Sequence, residues 1–375
     1  MKPIQMVDLK GQYQKIKSQV DASIQNVIDT TAFINGSDVK EFQKNLENYL
    51  DVKHVIPCAN GTDALQIAMM ALGLELGDEV ITADFTFAAT VEVIALLKLT
   101  PVLVDVEKDT FNIDIEALKN AITPKTKAII PVHLFGQCAN MEAVLEVAKA
   151  HNLFVIEDTA QAIGADYTFV DGISKKAGTI GNVGTTSFFP SKNLGCYGDG
   201  GAIFTNDDDL AHKLRGIINH GMYRRYYHDV VGVNSRLDSI QAAVLKVKLP
   251  HLDTYCNARL KVAEYYNNAF ANTPKLSTPI TSSFTTHVFH QYTLVLNGVD
   301  RAALQKHLSD KNIASAIYYP VPLHSQKAYA DTRYNEADFT VTNELCKTVL
   351  SLPIHTEFEE DQLKYITDAV LEFCK

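Results

Sequence analysis

A single lysine near the middle of the chain stands between two short apolar segments. Lys192 follows the apolar run 185–190, and the glycine-rich stretch 193–201 separates it from the apolar residues 202–205. The two runs predict buried strands, and the glycines let the backbone between them approach a ligand closely. A buried amine loses its proton easily and is suited to Schiff-base chemistry. The alternative is a solvated lysine in a glycine-rich turn.

An anion-binding turn is predicted before the first apolar helix. Gly61 and Thr62 follow a predicted strand at residues 54–57 and precede a predicted helix at residues 64–72. Glycine permits close approach of a ligand, and the free N–H groups of a helix N-terminus attract an anion. Gly61 and Thr62 are therefore candidate phosphate-binding residues. The alternative is a plain helix cap made by Thr62 or Asp63.

Two carboxylates, Glu157 and Asp158, come at the end of the apolar run 153–156. Ligands of open α/β sheets bind at the carboxyl ends of the strands, where an acidic side chain can hold a protonated ring nitrogen. Gln161 follows three residues later and is a candidate for the same cavity. The alternative is that the acid caps the next helix.

An aromatic residue follows another predicted strand. Phe87 lies in the segment 84–90, directly after the apolar residues 79–82. A ring at the end of a strand can stack on a planar cofactor, whereas core packing is the commoner role of phenylalanine.

The order of these features along the chain is informative. An anion-binding turn, an aromatic ring, an acidic residue and a buried lysine are the parts of a pyridoxal phosphate site. The phosphate needs helix-end amides and a hydroxyl, and the ring needs a stacking face. The ring nitrogen needs a carboxylate, and the aldehyde needs an amine. The sequence therefore predicts a pyridoxal phosphate site.

The elements that must position these residues alternate between strand and helix. Short apolar strands separated by helical segments predict an α/β fold with a parallel or mixed sheet and right-handed crossovers. Continuous apolar strands indicate that both faces of this sheet are covered. We predict an N-terminal arm and helix at residues 1–30, a large cofactor-binding domain at 31–250 and a smaller α+β domain at 251–375.

Four further segments are predicted near and beyond this domain boundary. Residues 220–235 are predicted as a polar loop, and residues 237–249 as a long helix that Pro250 ends. In the smaller domain, residues 313–319 are predicted as a strand and residues 338–350 as a helix.

The composition limits the class of protein. The chain has 34 basic and 44 acidic residues, and 34 − 44 gives a net charge of −10. This balance disfavours a nucleic-acid surface, which needs clustered cations. Lys98 and Pro101 interrupt the apolar run 91–106, so no membrane span is predicted. The six cysteines are scattered without zinc spacing, as is typical of free thiols in a reducing cytoplasm.

Two other segments have weaker functional interpretations. His287 and His290 could ligate a metal, but no acidic or cysteine partner lies nearby in sequence, and a strand edge is the favoured interpretation. No metal site is therefore predicted. The segment 223–228 mixes arginines with tyrosines, as single-strand nucleic-acid binders do. On an acidic protein, contact with a substrate phosphate or another subunit is the favoured interpretation.

Six motifs identify a resemblance to a known family. They are Asn60-Gly61-Thr62-Asp63-Ala64-Leu65, Glu157-Asp158-Thr159-Ala160-Gln161, Ser187-Phe188-Phe189-Pro190-Ser191-Lys192, Gly198-Asp199-Gly200-Gly201, Gly232-Val233-Asn234-Ser235-Arg236-Leu237-Asp238 and Gln241-Ala242-Ala243. With them the chain resembles the DegT/StrS family of nucleotide-sugar aminotransferases over essentially its whole length. The resemblance implies the type I fold of PLP-dependent transferases, with a mixed, mostly parallel seven-stranded sheet and a smaller α+β C-terminal domain.

The resemblance also implies roles for individual residues. Lys192 would be the catalytic residue that forms the Schiff base with pyridoxal phosphate. Six other residues would bind the cofactor within one chain: Gly61, Thr62 and Ser187 at the phosphate, Asp158 at the pyridinium nitrogen, Gln161 at the ring oxygen and Phe87 on the ring face.

Members of the family are homodimers whose active sites are completed across the interface. By this resemblance Asn234 would reach the cofactor phosphate of the neighbouring subunit. Arg236 would reach the sugar nucleotide bound by the neighbour.

Within the family the chain is most similar to enzymes that transfer the amino group of L-glutamate to C3 of a UDP-3-keto-N-acetylhexuronic acid. UDP-2-acetamido-2-deoxy-3-oxo-glucuronate, a precursor for cell-surface polysaccharides such as O-antigen, is the expected substrate. Tyr318 and Tyr319 are candidate substrate residues. They form Tyr318-Tyr319-Pro320, where that type has His-Tyr-Pro, and a tyrosine cannot carry the positive charge that a histidine can.

Three alternatives stay open. The acceptor could be a dTDP- or UDP-linked 3-keto or 4-keto deoxysugar. The chain could be a sugar dehydratase on the same fold, although some such relatives lack the lysine that is present here. It could also be a non-catalytic pyridoxal phosphate-binding regulator, although no DNA-binding module is appended.

Overall fold

A seven-stranded sheet forms the centre of the molecule, whose computed structural model describes residues 3–374. The first two positions of the predicted N-terminal arm and the last residue of the predicted C-terminal domain lie outside the described residues. The strands are β1 (His54–Cys58), β2 (Glu79–Ala83), β3 (Thr100–Val104), β4 (Thr126–Ile130), β5 (Phe154–Asp158), β6 (Asp166–Thr168), β7 (Ser174–Lys176), β8 (Val183–Ser187), β9 (Gly201–Thr205), β10 (Met222–Arg224), β11 (Tyr227–His228), β12 (Leu276–Ser277), β13 (Tyr292–Leu296) and β14 (Val349–Leu352).

Helices flank the central sheet and the smaller one. They are α1 (Leu9–Thr30), α2 (Ser37–Leu50), α3 (Gly61–Ala71), α4 (Ala89–Leu96), α5 (Ile115–Asn120), α6 (Met141–His151), α7 (Asp208–Ile217), α8 (Ser239–Lys248), α9 (Leu252–Phe270), α10 (Arg301–Asp310), α11 (Thr340–Thr348) and α12 (Glu360–Cys374). None of the helices within residues 3–374 is long and apolar enough to cross a bilayer.

The central sheet is mixed, with the strand order β1-β9-β8-β5-β4-β2-β3. β9 runs antiparallel to both of its neighbours, and the other pairs are parallel. The chain therefore returns directly from β8 into β9 without a helical crossover. The segment between these two strands contains Lys192, so the connection holds the lysine at the carboxyl end of β8.

Alternate residues of the strands enter different cores on the two faces. On one face Val80, Ile156 and Ile203 pack with α3, α4 and α7. Their sequence neighbours Ile81 and Val155 pack on the other face with α6. Because both faces are covered by helices, nearly every position of the inner strands is buried and apolar, which explains the continuous apolar runs.

The smaller sheet has the order β12-β13-β14 and is antiparallel. Its strands pack with α9, α10 and α12 in a separate core. Ile4 from the N-terminal arm joins this core and pairs with Ile313. The arm thus lies against residues of the predicted C-terminal domain, whereas α1 packs against α8.

Four sequence-based predictions of local structure need correction. The segment 313–319 forms isolated bridges instead of a strand. The predicted helix 338–350 ends at Thr348, and its last two residues begin β14, because their backbone pairs with β13. Pro250 lies within a 3₁₀ turn that leads directly into α9. The polar loop 220–235 contains the hairpin of β10 and β11.

Candidate active site

A cavity of about 420 Å³ opens at the carboxyl ends of the parallel strands. β1 leads into α3, β2 into the segment with Phe87, and β5 and β8 end at Asp158 and Ser187. Parallel strands bring their carboxyl ends to one edge of a sheet, and this edge is where α/β proteins bind ligands. Nine of the eleven predicted site residues line the cavity: Gly61, Thr62, Phe87, Asp158, Gln161, Ser187, Lys192, Tyr318 and Tyr319.

The N-terminus of α3 packs tightly against the end of β8. Asn60 caps the helix by accepting a hydrogen bond of 2.7 Å from the backbone N–H of Asp63. The amides of Gly61 and Thr62 have no acceptor within the helix. A Cβ atom on Gly61 would lie 2.7 Å from Cβ of Ser187. Only glycine therefore fits between the helix and the strand, which leaves two amides and the Ser187 hydroxyl beside one another.

The carboxylate of Asp158 is held by two hydrogen bonds. Thr90 in the first turn of α4 donates from Oγ1 to Oδ2 of Asp158 at 2.8 Å. The backbone N–H of Ala160 donates to Oδ1 at 3.1 Å. Asp158 is 5% exposed. The remaining acceptor capacity of the carboxylate is available to the cavity, which suits a protonated ring nitrogen.

The neighbouring carboxylate, Glu157, has a structural position. It is fully buried and accepts hydrogen bonds from the backbone N–H groups of Gly178, Ile180 and Gly181 at 2.9, 2.6 and 2.6 Å. Nε2 of His133 lies 2.9 Å from the same carboxylate. The two acids at the end of β5 therefore differ in role, because adjacent residues of a strand point to opposite faces.

Lys192 lies in the wall of the cavity. Its backbone N–H donates to the carbonyl oxygen of Phe189 at 2.8 Å, which tightens the turn after β8. Burial lowers the pKa of the Lys192 amine to about 8, against the opposing attraction of the Asp158 carboxylate. With this pKa roughly a tenth of the amine is unprotonated at pH 7, far more than for an ordinary lysine, and the unprotonated form is the nucleophile or proton acceptor.

The ring of Phe87 is available to a ligand. Phe87 is 57% exposed, which is unusual for a phenylalanine, and its ring centroid lies 6.3 Å from that of Tyr319. The segment before it is anchored at Asp84, because His324 approaches this buried carboxylate with its backbone N–H at 2.7 Å and Nδ1 at 2.6 Å. The position of Phe87 therefore depends on a contact made by a distant part of the chain.

Gln161 and Tyr319 form one hydrogen-bonded unit in the cavity. Gln161 accepts from the N–H of Phe135 at 2.9 Å and donates to the Tyr319 hydroxyl at 3.1 Å. The amide retains a second N–H for a ligand. Tyr318 is half-buried beside them, and burial raises the pKa of its phenol, so the side chain is neutral at physiological pH.

The two remaining predicted residues are not brought to this cavity within one chain. Asn234 is exposed, and Arg236 donates to Oδ1 of Asn219 at 3.4 Å. Neither side chain lines the cavity. Their predicted contribution across a dimer interface stays a prediction.

The residues of the cavity fit pyridoxal phosphate. The N-terminus of α3 and the hydroxyl of Ser187 together offer an anion site. This site requires glycine at position 61, because a Cβ there would collide with Ser187. Oγ1 of Thr86 is buried, lines the cavity and has no hydrogen-bond partner within residues 3–374, as is expected of a group that meets a ligand. Phe87 offers the stacking face, Asp158 the carboxylate and Lys192 the amine.

Sequence reasoning missed three polar residues of the site. Thr90 lies in the segment that was singled out for Phe87, and its spacing of one helical turn from Phe87 was the available signal. Thr86 precedes Phe87 directly. His290 lines the cavity but was assigned to a strand edge, because its sequence gives no sign that the backbone there turns toward the lysine.

Comparisons with known sequences agree with a pyridoxal phosphate site in this cavity. The sequence profile described as the DegT/DnrJ/EryC1/StrS aminotransferase family matches residues 14–371. The chain is 44% identical to the UDP-2-acetamido-2-deoxy-3-oxo-D-glucuronate aminotransferase of Pseudomonas aeruginosa, over 98% of this chain and 99% of that protein. It is 45% identical to a pleiotropic regulatory protein of Geobacillus stearothermophilus, over 99% of each chain.

Solved structures share the fold. The ketimine complex of DesV from Streptomyces venezuelae superposes with a TM-score of 0.95 at 37% identity, covering 100% of this chain and 99% of the other. NtdA of Bacillus subtilis with bound PMP gives a TM-score of 0.91 at 29% identity, covering 100% and 86%. The predicted type I fold and the predicted pyridoxal phosphate cofactor are thereby confirmed.

Proposed function

Because the chain belongs to the DegT/DnrJ/EryC1/StrS aminotransferase family, we propose that it transfers the amino group of L-glutamate to C3 of a UDP-linked 3-keto-N-acetylhexuronic acid. The observation that carries this proposal is the presence of Lys192 and Asp158 in one cavity. A nucleotide-sugar aminotransferase needs both an amine that exchanges protons and a carboxylate that holds a ring cation.

Each residue of the cavity has a separate role in the proposed amino-group transfer. Pyridoxal phosphate, when bound, supplies the carbonyl group that exchanges amines and a ring that accepts an electron pair. Lys192 takes the proton from Cα of L-glutamate on Nζ and returns a proton later, as a general base and acid. Asp158 holds the ring nitrogen in its protonated form. Gly61, Thr62 and Ser187 hold the phosphate.

The hexuronic acid is proposed as the acceptor from the likeness to the Pseudomonas aeruginosa enzyme. Tyr318 occupies the position where a histidine is expected, and it faces the cavity as a neutral phenol. A phenol can still donate a hydrogen bond to a sugar carboxylate. Arg236 of a second subunit would supply the positive charge.

A neutral keto deoxysugar is the second candidate acceptor, and Tyr318 is the observation that favours it. Without a cation at this position, a sugar that lacks a carboxylate leaves no charge unpaired in the cavity. The two acceptors therefore differ in what they require of the residue at position 318.

A regulatory role is the candidate from a different class, and the likeness to the Geobacillus stearothermophilus protein is its support. A regulator would bind the cofactor without turnover. Repeated glutamate-dependent turnover would separate the enzyme from a regulator.

We further propose a homodimer with shared active sites, in which Asn234 and Arg236 act on the neighbouring subunit. Both lie outside the cavity of their own chain, and Asn234 is exposed. A cytoplasmic location fits the six cysteines, which are unpaired thiols within the described residues. The product would serve cell-surface polysaccharide synthesis.

The experiment that tests this function is a donor and acceptor screen on the purified protein. We expect L-glutamate to bleach the visible absorbance of the bound cofactor and a UDP-3-keto-hexuronic acid to restore it, with the product identified by mass and NMR. Restoration only by a neutral keto deoxysugar would select the second acceptor. No bleaching by any amino donor would favour the regulator.

A further inference from the structure

His290 is a buried histidine in the wall of the cavity that contains Lys192. Its side chain belongs to the same lining as Lys192 and Gln291, and it is 5% exposed. None of the roles proposed above uses it. Nδ1 of its ring has no hydrogen-bond partner within residues 3–374. A buried polar atom without a partner calls for an explanation, and in a residue that lines a cavity a ligand can supply the missing partner.

The backbone around His290 is held by several independent contacts. The buried guanidinium of Arg259 donates from one nitrogen to the carbonyl oxygens of Phe289 at 3.2 Å and His290 at 3.3 Å. Asn193, the residue after Lys192, donates from Nδ2 to the carbonyl oxygen of Val288 at 2.8 Å. The lysine turn and the His290 segment are therefore positioned relative to one another by a direct hydrogen bond.

A strained backbone precedes His290. Phe289 has a φ of 46°, which a residue with a side chain rarely adopts. The facing segment contains Phe135, with a φ of 57°, and its carbonyl oxygen accepts from the N–H of Gln291 at 3.3 Å. Strain of this kind persists where surrounding contacts enforce it, and it concentrates at ligand sites. Here it turns the chain so that His290 reaches the cavity.

The ring nitrogens of His290 have different environments. Nε2 lies 3.5 Å from Nε2 of Gln291, and an amide nitrogen can only donate. In the neutral ring this contact makes Nε2 the acceptor and places the proton on Nδ1. Burial, with the added repulsion of the Lys192 and Arg259 cations, holds the pKa of His290 well below its usual value of 6.5. The side chain is thus a neutral N–H donor without an acceptor.

The amino donor, L-glutamate, carries a hydrogen-bond acceptor that would lie close to His290. Its α-carboxylate is bonded to the Cα atom at which Lys192 acts, so it must lie near the lysine. Lys192 is the one lysine or arginine that lines the cavity within the described residues, and it must stay free to exchange protons. A carboxylate buried there needs hydrogen-bond donors from elsewhere.

We propose that Nδ1 of His290 donates a hydrogen bond to the α-carboxylate of the amino donor, an inference that rests on the aminotransferase function proposed above. The histidine acts as a binding and orienting residue for the first substrate. It fixes the Cα–H bond relative to Lys192 and makes no contact that the nucleotide sugar requires.

The test compares three variants of the holoenzyme. His290→Phe keeps a ring of similar size without a donor. His290→Asn keeps an amide donor close to the position of Nδ1. His287→Asn is the control, because His287 is buried in the same segment but does not line the cavity. An asparagine there can keep the contact in which Nδ1 of His287 accepts from the N–H of Phe289 at 3.0 Å.

The probe is α-methyl-L-glutamate, which has the α-carboxylate but no Cα hydrogen, and its dissociation constant is measured by spectral titration. We expect His290→Phe to weaken binding roughly 10- to 100-fold, the range for a hydrogen bond to a charged group. His290→Asn should recover most of this loss. His287→Asn should bind the probe as the wild type does, even if its melting temperature falls.

Three outcomes would overturn the inference. Unchanged probe binding by His290→Phe shows that the ring does not meet the carboxylate. A selective rise in KM for the nucleotide sugar shows that it faces the second substrate instead. Equal losses in His290→Phe and His287→Asn show a general effect on the segment. A wild-type protein that does not react with L-glutamate would instead refute the proposed function, whatever the variants do.

Discussion

Thr90 Oγ1 donates a hydrogen bond of 2.8 Å to Oδ2 of Asp158. The threonine lies in the first turn of α4, and the aspartate closes β5, so this bond joins a helix to the strand end that it covers. Both side chains are buried. The bond fixes the carboxylate orientation before a ligand arrives, which reduces the cost of reorganisation on binding.

Replacing Thr90 with valine keeps the side-chain shape and should weaken the binding of pyridoxal phosphate about 3- to 10-fold. The lost hydrogen bond orients Asp158 and does not touch the cofactor, so the effect is smaller than the loss of a direct hydrogen bond to a charged group. The dissociation constant is measured by titrating apoprotein and following the visible absorbance. Thr82→Val is the matched control. Thr82 is buried in β2 and donates to the carbonyl oxygen of Ile130 at 2.9 Å, away from the cavity. An equal effect of both variants on cofactor affinity would contradict the role of Thr90.

Gly61→Ala should lower cofactor affinity at least roughly tenfold and also lower the melting temperature, because its Cβ would lie 2.7 Å from Cβ of Ser187. The double variant with Ser187→Gly removes the colliding atom. We expect it to recover part of the melting temperature, because Cα of Ser187 would still lie 3.2 Å from the added Cβ. Cofactor affinity should not recover, since the hydroxyl is lost with the side chain. Full recovery of both would show that Ser187 does not hold the phosphate.

The pH dependence of cofactor binding should report the amine of Lys192. Because burial lowers its pKa to about 8 from 10.5, half of the amine is unprotonated at about pH 8, and the unprotonated form approaches its limit roughly one to two pH units higher. The rate at which apoprotein combines with pyridoxal phosphate should therefore be half-maximal at about pH 8 and level off above it. Nα-acetyl-lysine, which has an ordinary amine, is the reference reaction. A rate that keeps rising toward pH 10.5 would show an unperturbed lysine.

Glu157→Gln should destabilise the protein by about 3 kcal/mol or more, because a fully buried carboxylate with three backbone donors and His133 loses its charge and one acceptor. The free energy of unfolding is measured by urea denaturation. Glu116→Gln removes an exposed carboxylate and is the control, with an unchanged midpoint expected. A small effect at Glu157 would mean that water replaces the lost contacts.

The sequence predicted most of the site because its residues lie at strand ends that local patterns can locate. Gly61, Phe87, Asp158 and Lys192 each follow a short apolar run, and parallel pairing brings the ends of such runs to one edge. The motif resemblance then assigned the roles. Tyr318 and Tyr319 also line the cavity, although the segment 313–319 does not form the predicted strand.

The contacts between distant parts of the chain could not be predicted. The hydrogen bonds from Thr90 to Asp158 and from Asn193 to Val288 join residues whose sequence neighbourhoods contain no sign of each other. Glu157 is structural and Asp158 lines the cavity, and this difference depends on which face of β5 each side chain occupies. The helix predicted over 338–350 failed for the same reason, since pairing with β13 overrides the local preference of its last residues.

The most direct test of the account is to identify the lysine that binds pyridoxal phosphate. The holoenzyme is reduced with borohydride, digested, and searched by mass spectrometry for the pyridoxyl group. Lys248 is the internal reference, because burial lowers its pKa to about 8 as well, yet its amine donates to the carbonyl oxygen of Gly195 at 2.6 Å and lies outside the cavity.

The account predicts the modification on Lys192 alone, and its absence in Lys192→Ala together with the loss of glutamate-dependent turnover. Modification of Lys248 or of a surface lysine in the native protein would contradict it, because the amine that reacts would then not be the one that shares a cavity with Asp158.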